Sequence, residues 1–260
     1  MGELDREAKA IKAKIVYFGP SGVGLTTNLE SIARKLKKEQ CGDLRVSRVP
    51  KDKKAAYEVL PVDLGKVRGY RTAMQIYTVP GGTKHAAIRR RILEGADGVV
   101  FVADLRPDRH DVTLAAVKEL EGHLKVYGRT LEDTSLIVQY NRRDEVDESV
   151  LDRLHRRLAL KPAAFFEASA NDGTGVLQTL TTLSKVILAE FRRRAESGEP
   201  VSPRPAAQAQ LDGPNKGFRI ESAGPAQGSD GAVQIPIRLI DEASGRRLEF
   251  SLQLIIGETK

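Results

Sequence analysis

Tryptophan is absent from the 260 residues, and aromatic side chains together make up only 5% of them. Stacking platforms for single-stranded nucleic acid are therefore not expected. Cys41 is the sole cysteine, which excludes an intramolecular disulfide and a cysteine-rich metal site. No run approaches the roughly 18 apolar residues that a membrane-spanning helix needs, and the charged start, Met1 to Lys14, lacks the apolar centre of a secretory signal. Gly2 is followed by Arg6 where a myristoylation signal wants Ser or Thr, and Gly257 to Lys260 offer no prenylatable cysteine. These absences predict a cytoplasmic protein with no membrane span or lipid anchor. The histidines, His85, His110, His123 and His155, are dispersed without ligand spacing and read as surface or satisfied residues.

What is present supports a real core, since 40% of the chain is apolar. The net charge is +7, yet residues after 195 hold 7 basic and 9 acidic side chains, so the basic excess belongs to the first part of the chain. Arg89-Arg90-Arg91 and Arg192-Arg193-Arg194 fall in or at the end of predicted helices, where a solvated face is the simplest reading. Nucleic acid is not an expected partner, while the first triplet could dock an acidic protein.

Short apolar runs alternate with helical patterns between residues 14 and 195, which predicts an α/β domain with a mostly parallel sheet covered on both faces. Strands are expected at Lys14 to Phe18, Tyr70 to Val79, Gly98 to Ala103, Ser135 to Tyr140 and Ala163 to Ala168. Helices are expected at Thr26 to Glu39, His85 to Glu94, Val112 to Tyr127, Glu148 to Leu158 and Val176 to Arg194. Pro200, Pro203, Pro205 and Pro214 mark a linker over 196–216. Beyond it, Val233, Ile235, Ile237 and Leu239 alternate with polar residues, Asp241 to Gly245 form a turn, and Leu248, Phe250, Leu252, Leu254 and Ile256 alternate again. A β-hairpin is expected in 217–260, with a third strand through Phe218 and Ile220 and an edge or bulge at Pro236. Its apolar row must be covered, by its own domain, a second copy or a partner.

Directly after the first expected strand comes Gly19-Pro20-Ser21-Gly22-Val23-Gly24-Leu25-Thr26-Thr27, a phosphate-loop spacing with leucine at the lysine position. The glycines allow backbone N–H groups to point at an anion, and the next helix adds its positive N-terminus. Leu25 cannot reach terminal phosphates as a lysine does, whereas Thr26 can ligate Mg²⁺. Farther on, Asn141-Arg142-Arg143-Asp144 and Ser169-Ala170-Asn171 each follow a strand. The Asp144 carboxylate can accept from both the ring N–H and the exocyclic amine of guanine, while adenine presents an acceptor at that ring nitrogen. Arg142 can stack its plane on the base. The expected nucleotide-binding set is Gly19, Ser21, Gly22, Val23, Gly24, Leu25, Thr26, Thr27, Asn141, Arg142, Asp144, Ser169 and Ala170, with Thr26 as the metal residue, GTP or GDP as ligand, and no catalytic residue.

With these motifs in order, residues 12–195 resemble the bacterial gliding-motility small GTPases, the MglA family, which implies a Ras-like P-loop GTPase fold. Tyr77-Thr78-Val79-Pro80-Gly81, Asp97 through Asp104 and Gln139-Tyr140-Asn141 match the family's pattern. The family carries Thr where other small GTPases carry the aspartate of the second switch, so Thr78 is expected. It brings an arginine and then a Mg²⁺-associated threonine before its second strand, where this chain has Lys53 and Lys54, and a water-orienting glutamine where this chain has Gly82. The resemblance therefore implies a pseudoGTPase with a regulatory or scaffold role in motility or polarity, weak guanine nucleotide binding, negligible hydrolysis and a roadblock-type regulator at the switch surface. Two alternatives stay open: an active enzyme in which Lys53, Lys54 or Lys84 or a partner replaces the missing groups, and a nucleotide-free adaptor in which Leu25 is a packing residue.

Overall fold

The structure is a computed structural model that describes residues 3–5, 8–49, 52–67, 69–160, 164–197, 218–223, 227–229, 232–241 and 247–255. The chain divides into two compact units, Met1–Ala209 and Gln210–Lys260.

In the first unit the strands are β1 (Glu3–Asp5), β2 (Ala10–Phe18), β3 (Arg45–Val49), β4 (Asp52–Val67), β5 (Tyr70–Thr78), β6 (Gly98–Asp104), β7 (Leu136–Asn141) and β8 (Ala164–Glu167). They form one sheet in the order β3-β4-β5-β2-β6-β7-β8, with β1 antiparallel to the start of β2. From β5 to β8 every neighbouring pair is parallel, and every residue of β6 is buried, as a strand covered on both faces requires. The helices are α1 (Leu25–Lys35), α2 (Ala86–Leu93), α3 (His110–Val126), α4 (Glu148–Leu158) and α5 (Val176–Ser197). This is the Ras-like α/β architecture. Its apolar core runs from Val16 and Phe18 through Val100 and Val102 to Leu183 and Ile187.

Hydrophobic periodicity does not mark β3 and β4. Pro61 and Gly65 interrupt β4, yet the strand runs on as an antiparallel partner of β5, with a register shift between Asp63 and Lys66 that absorbs the irregularity. Its Tyr57 is a strand residue. The expected helix from Thr26 to Glu39 stops at Lys35, where Leu36 turns extended and its N–H closes on the Ile32 carbonyl.

The second unit comprises β9 (Phe218–Ala223), β10 (Gln227–Ser229), β11 (Ala232–Asp241) and β12 (Arg247–Ile255). β12 pairs along β11, setting Val233, Ile235, Ile237 and Leu239 opposite Leu254, Leu252, Phe250 and Leu248. β10 and β9 share the other edge of β11. Pro236 lies between Gln234, where pairing with β10 ends, and Ile237, where pairing with β9 begins, so no ladder bond on that edge needs its missing N–H. The expected linker beyond Ser197 and the expected turn from Asp241 to Gly245, apart from Asp241 itself at the end of β11, lie outside the described residues.

Candidate functional site

β2 ends at Phe18, and after six intervening residues α1 begins at Leu25, with Gly24 in the left-handed region at φ 97°. A side chain at 24 would be strained there and its Cβ would come within 2.8 Å of the Asn141 amide nitrogen. The carbonyls of this loop are capped from outside. Arg89 Nη2 donates to the Gly19 carbonyl at 3.1 Å, Arg109 Nη2 to Ser21 at 2.7 Å, Arg142 Nη2 to Gly22 at 3.2 Å and Asn141 Nδ2 to Val23 at 2.7 Å. In a trans peptide the N–H of the next residue points opposite to the carbonyl, so capping Ser21, Gly22 and Val23 turns the N–H groups of Gly22, Val23 and Gly24 the other way. The Val23 N–H is met by the Pro20 carbonyl at a long 3.4 Å. The Gly22 and Gly24 N–H groups, turned away from the capped carbonyls at a helix start, are chemically suited to an anion.

Asn141 also joins the next two elements of the site. Its Oδ1 accepts from the Ala170 N–H at 2.9 Å, and the Arg143 N–H reaches the Ala168 carbonyl at 3.0 Å. One buried amide thus ties the phosphate-type loop to the ends of β7 and β8. Asp144 is exposed beside it. Ser169 is 3% exposed, and its hydroxyl is one of the groups that hydrogen-bond the Asp172 carboxylate and hold it below its ordinary range. Arg142, expected to stack on a base, instead directs its guanidinium to the Gly22 carbonyl and the Glu145 carboxylate; a left-handed backbone at φ 68° turns it that way.

At the other end of the loop the side chains have other duties. Leu25 is buried in the apolar core, Thr26 is exposed at the helix start, and Thr27 is half-buried. The Thr78 hydroxyl donates to the Glu58 carboxylate, and the Glu58 N–H donates back to Thr78 Oγ1 at 2.7 Å. Gly81 lies against Ser21, since a Cβ on Gly81 would fall 2.6 Å from the Ser21 hydroxyl. Lys84 is paired with Asp52 at 2.7 Å, and His85 Nε2 sits 3.3 Å from the same carboxylate without hydrogen-bond alignment. Lys84 is therefore held by Asp52, at the start of β4. The side chains of Lys53 and Lys54 lie outside the described residues.

The reading of Arg89 as part of a solvated or docking triplet is corrected. Arg89 is 2% exposed and its guanidinium stacks 4.2 Å over Phe18. It pairs with Glu119 through Nε at 2.8 Å and Nη2 at 3.0 Å and donates from Nη1 to the Pro80 carbonyl at 2.9 Å. It therefore clasps the start of the loop to the Pro80-Gly81 segment; Arg90 and Arg91 remain exposed. Burial pushes the Glu119 carboxyl up, but hydrogen bonds from His123 and Arg89 and their charges outweigh it, leaving it below the usual carboxylate range. Sequence reasoning missed Glu58, Arg89 as a buried clasp, and Arg109. Their partners are 20, 30 and 88 residues away, and no local spacing announces them. The remaining histidines are satisfied, His110 by the Leu105 carbonyl, His123 by Glu119 and His155 by Tyr140. No cluster of metal-ligating side chains occurs among the described residues, and no helix is long and apolar enough to cross a membrane.

No protein-family model matches the chain. It is 34% identical over 193 residues to the mutual gliding-motility protein MglA of Myxococcus xanthus (strain DK1622), an alignment that spans 74% of this chain and 99% of that protein.

Proposed function

The chain belongs to the MglA-like family of small GTPases, and on that premise we propose that it is a regulatory or scaffold pseudoGTPase. It binds guanine nucleotide weakly, hydrolyses it negligibly and acts through protein partners. The observation that carries this reading is the contrast between Asn141, which bridges Val23 and Ala170, and Leu25, which is buried in the core.

The base site consists of Asn141, Asp144, Ser169 and Ala170. Asp144 reads the guanine edge, and Ser169 and Ala170 line the same side through the loop that Asn141 holds. The phosphates lie on the N–H groups of the loop from Gly19 to Thr27, and Thr26 would hold Mg²⁺ through its exposed hydroxyl. That single ligand suits an ion that keeps most of its waters. Bound Mg²⁺ would neutralise phosphate charge; Thr78 adds nothing to it, because its hydroxyl is given to Glu58. One charge-assisted hydrogen bond is worth about 1.5–3 kcal/mol, so leucine in place of lysine weakens binding by roughly ten- to a hundred-fold. Hydrolysis loses more, since Gly82 offers no group to orient water, a contribution of about 10²–10⁴ in rate.

The relative's name places it in gliding motility, and a role in motility or cell polarity is proposed here on that likeness. A roadblock-type regulator at the Pro80–Lys84 surface is the proposed partner, in the cytoplasm. The apolar residues that the register aligns across β11 and β12 require cover from their own domain, a second copy or a partner. Truncation after Arg194 should then change the melting temperature, oligomeric state or partner set; no change in any of them would make the tail a passive appendage.

Calorimetric titration tests the central reading. GDP and GTP should bind more tightly than ATP, and hydrolysis should stay at background with and without a partner. Equal ATP binding would remove the role of Asp144, and no binding at millimolar nucleotide would favour the nucleotide-free adaptor.

A further inference from the structure

We infer that Arg109 is a positioning residue for phosphate binding, holding the loop in its anion-receiving form in place of the cation that Leu25 no longer supplies. The inference rests on the reading of this loop as a phosphate site, but not on the identity of the base. The ligand chemistry is a polyphosphate, either the phosphates of a nucleotide or an inorganic chain.

Arg109 closes the turn Pro107–Arg109 after β6 and reaches the loop from outside the strand-loop-helix unit. The buried carboxylate of Asp104 could have claimed it. Arg106 occupies that carboxylate on both oxygens, at 3.0 Å through Nε and 2.8 Å through Nη2. Arg109 Nε is left 3.7 Å from Asp104 Oδ2, beyond hydrogen-bond range, and the bond that Arg109 completes is the one from Nη2 to the Ser21 carbonyl at 2.7 Å. Ser21 and Gly22 share a peptide plane. Holding that carbonyl outward aims the Gly22 N–H the other way, and Gly22 is an exposed residue of the loop in the left-handed region at φ 77°, which glycine adopts without strain. A guanidinium is charged at every accessible pH, so its bond to a carbonyl is of the stronger, charge-assisted kind.

The test measures binding of inorganic tripolyphosphate, guanosine and GDP to the full chain and to R109A, R109Q and R109K, together with ligand-free melting curves. Tripolyphosphate should bind the parent protein and bind R109A about ten- to a hundred-fold more weakly, the range of one charge-assisted bond. R109K, which can still donate to Ser21, should recover most of the loss and R109Q part of it. Guanosine binding and the ligand-free melting temperature should not move. An undiminished affinity in R109A, no rescue by lysine, or equal losses for guanosine and tripolyphosphate would each overturn the inference. So would failure of tripolyphosphate to bind the parent protein. GDP binding no tighter than ADP binding would instead overturn the guanine reading and leave the role of Arg109 standing.

Discussion

The base end and the phosphate end of the site are built from different materials. At the base end side chains do the joining: the Asn141 amide is bonded on both sides, and Asp144 is exposed beside it. At the phosphate end the backbone carries the site, and apart from the exposed Thr26 hydroxyl three of its side chains are engaged elsewhere. Leu25 packs in the core, Thr78 serves Glu58, and Lys84 serves Asp52. A cradle of N–H dipoles is sufficient to hold an anion, but differential stabilisation of a transition state needs side chains placed where charge develops. Binding can therefore outlast hydrolysis in one fold.

The strongest way to break the comparison is to release the phosphate end from its scaffold. Arg89→Ala would leave Glu119 without its buried partner and uncap the Gly19 and Pro80 carbonyls together. Removing one member of a buried ion pair costs about 3–5 kcal/mol, and urea denaturation should show a loss of that size. A loss below about 1 kcal/mol would mean the clasp contributes little. Next in size, Asp144→Ala should weaken GDP by about a hundred-fold, as expected when two charge-assisted bonds of about 1.5 kcal/mol each disappear. ATP and tripolyphosphate binding should be unchanged, and an equal loss for ATP would show that Asp144 does not read the base.

Leu25→Lys sharpens the comparison by returning one side chain to the phosphate end. The lysine stem can keep part of the leucine packing while its ammonium reaches the loop mouth. GDP and GTP affinity should rise by about ten- to a hundred-fold, and turnover should stay at background because Gly82 still carries no water-orienting group. Restored hydrolysis would show that another residue orients the water. A fall in affinity would show that a cation already occupies the position.

Much of this site could be read in sequence, and the rest could not, for a physical reason. The phosphate-type loop, Asn141 and Ser169 are each announced by their place after an apolar strand, and the buried parallel strands carry a strong local signal. β4 was hidden because Pro61 and Gly65 resemble breakers until β5 supplies the partner that tolerates them. Arg89 was hidden more deeply. Its neighbours Arg90 and Arg91 are exposed, so the triplet has the composition of a surface, and only Glu119 and Phe18, distant in sequence, distinguish the buried member. Leu25 was legible as a missing lysine, but its compensating contacts from Arg109 were not, since a long-range bond to a backbone carbonyl leaves no pattern in side-chain spacing.

The smallest expected effect is electrostatic and lies at the clasp. Glu119 has a depressed carboxyl because His123 and Arg89 donate to it and outweigh its burial. A group depressed in the folded state contributes stability that is fully present above its unfolded value and fades as pH falls through the folded one. The ordinary value here is 4.5, so the contribution should be complete above that pH and decline below it. Glu119→Gln keeps an oxygen that can accept from Arg89 but cannot titrate. The stability difference between the parent protein and E119Q should therefore be largest near neutrality and shrink on acidification below about pH 4.5, while shared titrations of other carboxylates cancel. Melting temperatures of both proteins at successive pH values between about 6 and 3 would trace it. A difference that stays flat, or widens toward acid, would mean that Arg89 is held by its two carbonyls and not by the charge of Glu119.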